Sequence, residues 1–447
     1  MRQLPESVTI NPMSLPEHSQ LPSSRKIGRR ITLLLVLGGI VLVFLALIVV
    51  YQVPAVQQRF EWRLEIASVY LRTLLRPIGD LPTPLVADQP ETAPPQASAT
   101  LPAVTATAAV QPTEADTPPS PTPEATRVVL PSQVNLQAPP FEGQDWNNCG
   151  PVSLSMQLNY FGWNGDQYGI AEKIKPLRAD RNVNIEELSG YVYQNIWWLK
   201  AVFRVGGNIE LLRSLIHAGL PVLVEETMFM EEEFWFNDDR WAGHYLLLTG
   251  YDDIRQVFTT QDSFVGPNRQ VGYLELDRNW QAFNRVYLVI YPPEQEEAVI
   301  NLLGTHWDAD QNRLSALATA EAETRKEPQN AFAWFNLGSN LVYFERYAEA
   351  ASAYDYARKL ELPQRMLRYQ FGPFLAYFHS NRAEELLTLA EYALTVTPNS
   401  EEALLWKGWA LYRLNRRAEA LSSFQAALEY HPGYSDAEYA ISFIQGQ

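Results

Sequence analysis

The sequence predicts two globular parts behind one N-terminal transmembrane helix: an α+β domain over 132–292 and an all-α repeat solenoid over 293–447. Three observations predict this. Residues 31–50, "ITLLLVLGGIVLVFLALIVV", form an uncharged, almost wholly apolar run. Between 132 and 292 helical periodicity gives way to short apolar runs bounded by turn residues. Beyond 292 a helical pattern repeats at an interval near 35 residues.

The chain of 447 residues is 47% hydrophobic and 12% aromatic, enough for about two or three domains. Its 35 basic and 51 acidic residues give a net charge of −16, which argues against a nucleic-acid partner. The run 31–50 is long enough to cross a hydrocarbon core of ~30 Å, and its length and flank "YQVPAVQQRFEWR" do not suit a cleaved signal peptide. Arg25, Lys26, Arg29 and Arg30 precede it. Lys/Arg favour the inner side, so 1–30 reads as a cytoplasmic tail, 31–51 as the span and everything beyond Tyr51 as extracytoplasmic. Residues 52–80 mix apolar and basic residues at helical spacing, as a juxtamembrane or solvated helix would. Residues 81–131 are rich in Pro, Thr, Ala and Ser and read as a linker, spanning ~40 Å if flexible, that frees the following domains from the membrane.

In the α+β domain, Pro151 suits a first helical position, and Val152, Leu154, Met156, Leu158 and Phe161 supply apolar faces before Gly162. Further helices are expected over 185–196 and 208–218. Strands are expected in "LPVLVEE", "HYLLLTGY", "QVFTTQDSF", "VGYLEL" and "RVYLVIY". Helices first and strands afterwards give the α+β class.

In the C-terminal part Gly338, Ala350, Tyr354 and Ala357 recur 70 residues later as Gly408, Ala420, Phe424 and Ala427. With Trp334 and Leu337, this pattern resembles the tetratricopeptide repeat, a helix pair of about 34 residues. Units fall near 297–330, 331–364, 367–400 and 401–434. The first carries Leu303, Gly304, Ala316 and Pro328 but has Ala320 in place of the aromatic and Glu323 in place of the last small residue. "SDAEYAISFIQ" reads as a capping helix. A solenoid of this kind implies a protein partner or a presented substrate.

Cys149, in "QDWNNCGPVSLSMQLNYFGW", is the single cysteine, so no intramolecular disulfide can form. Its place at a helix start favours the thiolate. Nucleophilic catalysis also needs an oriented base. Of the two histidines between 132 and 292, His217 closes a helix and reads as a partner of its last carbonyls, whereas His244 opens the strand "HYLLLTGY". Asp262 ends the next strand. A hairpin pairing Tyr251 with Gln256 sets His244 opposite Ser263, one residue from Asp262, and a bulge or a longer loop makes the meeting direct. Trp197, Trp198, Trp235 and Trp241 are candidates for a peptide cleft near His244, though core packing is the commoner use. No metal-ligand spacing is present, and no cofactor is expected.

"QDWNNCGPVSLSMQLNYFGW", "GHYLLLTGYDD" and "TTQDSF" together resemble the papain-like cysteine peptidases of the bacteriocin-processing type, peptidase family C thirty-nine. The resemblance covers about 132–292. It implies Cys149 as nucleophile, His244 as general base and later acid, Asp262 as the group orienting the imidazole, and Gln144 as an oxyanion donor beside the Cys149 N–H; Gln137 is a more distant rival for the last role. Many members have Asp-Pro where this chain has Asp262-Ser263. The reading is an extracytoplasmic, membrane-anchored cysteine peptidase acting on a peptide or protein substrate. An amidase or transpeptidase would use the same acyl-thioenzyme, and a non-catalytic scaffold is the rival from another class.

Overall fold

The computed structural model describes residues 24–51, 54–85, 130–175, 177 and 182–446. Most of the expected tail (1–30) and of the expected linker (81–131) lies outside the described residues. The chain forms two units, residues 1–69 and 70–447. In the first, α1 (Ser24–Tyr51) carries the whole apolar run as one helix and α2 (Pro54–Leu75) begins, its last turns counting with the second. Side chains of α1 are described over 35–46 and 48–50, where Leu35, Leu42 and Phe44 are exposed. Among the described residues no helix is long and apolar enough to cross a membrane. The described residues therefore give the expected membrane span no support.

The second unit holds both globular parts. Its first elements are β1 (Gln133–Asn135), α3 (Cys149–Tyr160), α4 (Gln167–Ile174), α5 (Ile185–Asn195), β2 (Lys200–Arg204) and α6 (Ile209–His217). There follow β3 (Val222–Phe229), β4 (Trp241–Asp252), β5 (Val257–Asp262), β6 (Gly266–Gly272), α7 (Tyr273–Gln281) and β7 (Tyr287–Tyr291). The strands form one antiparallel sheet in the order β2-β7-β3-β4-β5-β6, with β1 paired to the far end of β4. One face buries Val222, Val224, Leu246 and Leu248 against Leu212, Leu215 and Ile216 of α6 and Leu276 and Trp280 of α7. Helix α3 lies against Tyr245, which alternates to the other face. Gln157 fixes that helix by donating to the carbonyls of Pro221 and Leu288, and the Ser153 hydroxyl donates to the Tyr245 carbonyl.

The expected strand "VGYLEL" is a correction: only Val271 and Gly272 belong to β6, and a helix begins at Tyr273. Tyr273, Leu276 and Trp280 are buried at helical spacing, a period that a six-residue window is too short to show. The short elements α4 and β2 are not among the expected ones; Asp166 caps α4 through the amides of Tyr168 and Gly169.

The expected boundary at 292 also moves. Helix α8 (Glu296–Leu303) places Val299 and Leu303 in the same core as Leu212 and Val222. Gly304, at φ +55°, ends α8 instead of sitting inside a repeat helix. The unit expected at 297–330 thus stacks on its neighbour through its second helix, α9 (Ala309–Lys326). Asn312 of α9 bonds both the N–H and the C=O of Val205.

Helix pairs follow in α10 (Ala331–Tyr343) with α11 (Tyr347–Lys359), then α12 (Met366–Tyr369) and α13 (Gly372–His379) with α14 (Ala383–Val396). The last pair is α15 (Glu401–Arg413) with α16 (Arg417–Tyr430), closed by α17 (Ser435–Gln445). The recurring glycines have a packing cause. A Cβ on Gly338 would lie 2.7 Å from the Tyr354 ring, and one on Gly408 would lie 2.3 Å from Phe424. Glycine in the first helix and an aromatic in the second are two halves of one contact. Residues 81–85, expected to open the linker, are held on the repeat helices: the Leu85 N–H donates to Glu385 and Leu81 is buried.

Candidate active site

Cys149 is the first residue of α3 and keeps partial solvent access. Asn148 occupies the N-cap position but makes no side-chain cap. Its amide group donates to Gln167 instead, and its carbonyl oxygen accepts from the Lys175 ammonium at 3.2 Å. The first amides of α3, which have no intrahelical acceptor, are therefore without a side-chain cap from Asn148.

The hairpin of β4 and β5 brings the histidine and the carboxylate together by way of a bulge. Near its turn Tyr251 pairs with Phe258 and Gly250 with Thr259. The register then skips Thr249, so that Leu248 pairs with Thr260 and Leu247 with Gln261. One more step sets Asp262 across from Leu246, on the face that His244 shares. Without the skipped residue Asp262 would point to the opposite face. His244 Nε2 lies 2.8 Å from Asp262 Oδ1, both side chains being essentially fully buried. With Nε2 engaged there, Nδ1 is the nitrogen left for Cys149.

Asp262 is saturated. Besides His244 it accepts from Arg269 Nη1 at 2.6 Å and from the amides of Phe264 and Val265 at 2.9 and 3.1 Å. The pairings with His244 and Arg269 outweigh burial and hold its carboxyl far below the usual range. Burial would lower His244, but Asp262 and Cys149 raise it to about 9. Burial would likewise raise the Cys149 thiol, yet His244, the Tyr245 amide and Lys175 hold it below the ordinary thiol value. Both shifts favour the thiolate–imidazolium form of the pair.

Gln144 is tied to the strand end by two bonds. Its N–H donates to the Ser263 carbonyl at 3.0 Å, and its Oε1 accepts from the Ser263 hydroxyl at 2.9 Å. That leaves Nε2 as the donating end, with no protein acceptor among the described residues. Ser263, the departure from the Asp-Pro pattern, thus orients this glutamine. Gln137 is exposed just beyond β1, whose Asn135 pairs with Gly250, at the end of β4 away from His244. His217 is exposed in the last turn of α6.

Residues 128–291 match the model of the Peptidase_C39 like family. No curated protein matches the chain. Among solved structures, a candidate C39-like peptidase from Bacillus anthracis is 18% identical with a TM-score of 0.29, covering 36% of this chain and 98% of its own. The MamA RS-1 ArsTM double mutant is 16% identical with a TM-score of 0.28, covering 30% of this chain and 75% of its own. YrrB, described as a TPR protein with an unusual peptide-binding site, is 23% identical with a TM-score of 0.28, covering 33% of this chain and 74% of its own.

The C39-like domain holds polar residues at its site that sequence spacing did not single out. Gln167, buried, accepts from the Asp145 N–H and from Asn148, and donates to Glu142 and the Gly143 carbonyl; it pins the loop that leads to Cys149. Lys175, also buried, donates to the Asn147 carbonyl at 3.0 Å. Glu226 pairs directly across from His244 in β3, is 1% exposed, and its Oε2 has no hydrogen-bond partner. Burial pushes it up to about 7 against the pull of His244. Glu225 faces the other side, accepts from the Tyr245 hydroxyl, and is raised well above its ordinary value by burial and by the Cys149 charge. Only the fold reveals this group, because α4 and its C-cap supply Gln167 and Lys175 while β3 supplies Glu225 and Glu226.

The four tryptophans do not line a cleft at His244. Trp197 is exposed and borders a groove with Phe161, Trp198 and Pro292 beside the C-terminal end of α3. Trp235 and Trp241 pack toward the repeats: the Trp235 indole donates to Gln364, and Trp241 stacks on Phe283 and meets Tyr369 edge-on. The exposed aromatic beside His244 is Phe264, its ring centroid 6.4 Å away.

Proposed function

We propose that this chain is a cysteine peptidase that cleaves peptide bonds through an acyl-thioenzyme on Cys149. The observation that carries the reading is the buried relay in which Asp262 holds Nε2 of His244 at 2.8 Å and leaves Nδ1 for the thiol. The match of residues 128–291 to the Peptidase_C39 like family supports it.

The Cys149 thiolate attacks the carbonyl carbon of the scissile bond. The oxyanion takes hydrogen bonds from the Cys149 N–H and Gln144 Nε2. As the tetrahedral intermediate collapses, the His244 imidazolium gives its proton to the leaving amine, and a thioester remains on Cys149. Neutral His244 then takes a proton from water, whose hydroxide attacks the thioester. Collapse of that second intermediate releases the acid and restores thiolate and imidazolium. Asp262 stays ionised throughout and keeps the imidazole in one orientation.

The reading includes an anchor: residues 31–50 span a membrane, with the basic tail inside and the C39-like and repeat domains outside. The repeats offer a helical surface for a protein partner or substrate. The deciding experiment compares the full chain with His244→Ala, using an iodoacetamide probe near neutral pH and a peptide library read by mass spectrometry. Fast labelling and peptide cleavage by the parent, both lost in the variant, are expected. Equal, slow labelling of both proteins overturns the reading. The anchor has its own test, because protease added to intact cells should remove the globular part; full protection refutes that orientation.

A further inference from the structure

Outside the thiol site, the segment that follows α2 is bonded to the repeat helices. Residues 77–85, "PIGDLPTPL", have no helix or strand of their own, yet they lie on the repeat helices. Arg358 of α11 directs two donors at one peptide carbonyl, that of Pro82, with Nε at 2.9 Å and Nη2 at 2.5 Å. The Tyr392 hydroxyl of α14 donates to the Gly79 carbonyl at 3.0 Å. Glu385 of α14 accepts from the Leu85 N–H at 2.9 Å. Between these bonds Ile78 and Leu81 are each 6% exposed, whereas Gly79, Asp80 and Thr83 face solvent.

We propose that residues 77–85 are a peptide ligand of the repeat domain bound in cis, so that the Pro/Thr-rich stretch 86–129 joins two held ends and is not the sole link between the N-terminal helices and the rest of the chain. The protein side of this contact is built for a main chain. Arg358 is 3% exposed and Glu385 4%, and they lie 3.5 Å apart. A guanidinium so buried needs oxygen partners, and the Pro82 carbonyl takes two of its donors while the Tyr377 hydroxyl takes a third at 3.0 Å. The segment thus both covers Arg358 and supplies the oxygen that two of its donors use. Ile78 and Leu81, three apart, supply the apolar anchors. Pro77, Pro82 and Pro84 bias the segment toward an extended chain that costs little entropy to order. The other end of 86–129 is held as well, because the Pro131 carbonyl accepts from the Tyr251 hydroxyl and Ser132 bonds Asp253. The proposal does not depend on thiol chemistry.

Cutting the connecting stretch tests it, since the cut turns an intramolecular contact into a bimolecular one. A specific protease site is inserted near residue 108 of the full chain in detergent, with an affinity tag at the N-terminus. After cleavage the tagged fragment should retain the fragment carrying the C39-like and repeat domains, and a double variant Ile78→Asp, Leu81→Asp should lose it. Thr83→Asp, at an exposed position, should retain it. Both anchors lie outside the repeat helices, and an unchanged thermal transition of the cleaved double variant verifies that those helices stay folded. Separation of the parent fragments on cutting overturns the proposal, as does retention by the double variant.

Discussion

At the scale of single residues the site is governed by which protons the fold lets each group keep. Cys149 is lowered and His244 raised to about 9, shifts that both favour the thiolate–imidazolium pair. Alkylation of Cys149 should stay fast well below the ordinary thiol range and take an ordinary thiol profile in His244→Ala. Peptide cleavage should decline above pH about 9, where the imidazolium loses the proton needed by the leaving amine. Asp262→Asn should slow turnover by about 10³-fold, measured as kcat with KM changed far less, because the carboxylate acts through the imidazole. Glu226 behaves in the opposite sense to Asp262. Its folded value of about 7 exceeds its ordinary 4.5, so the unfolded chain ionises first and stability is lost as pH rises through that window. The loss is about 3 kcal/mol when complete. Glu226→Gln removes it, so its Tm should exceed the parent's at pH 8 and match it at pH 4.5.

At the scale of elements the decisive feature is the bulge at Thr249 in β4. It converts a register in which Asp262 and His244 would face opposite sides into one in which they share a side. The sequence made a hairpin legible and brought the two residues within one position of each other. It did not show the loop length, since Asp252 pairs with Val257 and not Tyr251 with Gln256, nor the skipped residue. Gly250, next to the bulge, lies against β1: a Cβ there would lie 2.8 Å from the Val134 carbonyl oxygen. Backbone cannot yield as a flexible side chain can. Gly250→Val should therefore cost about 1–3 kcal/mol in a urea melt and reduce Cys149 labelling through loss of the register.

At the scale of the molecule the repeats and the C39-like domain are one folded body. The β3–β4 loop that leads into His244 is gripped from the repeat side by Arg365, which is 1% exposed. Its guanidinium reaches Asp238 at 2.5 and 2.6 Å and the Trp241 carbonyl at 3.2 Å, and lies over the Trp235 ring. Nearby, Phe283 and Tyr369 crowd Gly243, so that even a Cβ there would collide. The strand bearing the histidine is thus shaped by both parts. Arg365→Ala leaves Asp238 buried without its cation and should cost about 3–5 kcal/mol. The parent should melt in one calorimetric transition, and the variant should melt lower with slower thiol labelling. A fragment ending at 292 should be poorly folded, because it lacks Val299 and Leu303 of its own core.

The sequence by itself determined the chemistry available and the kinds of element. A lone cysteine before Gly150-Pro151 at a helix start, a histidine opening a strand, and glycine–aromatic pairs recurring at 70 residues are local or periodic features, and such features are written along the chain. What only the tertiary structure decided depends on residues far apart in sequence. It set the bulge that put Asp262 on the face of His244, and it brought Gln167 and Lys175 of α4 and its C-cap to the loop before Cys149 and Glu226 of β3 beside His244. It also moved α8 into the core of the C39-like domain and laid 77–85 on the repeats. Each is a choice among partners that local propensity leaves open, and burial of apolar surface with pairing of buried charges makes that choice.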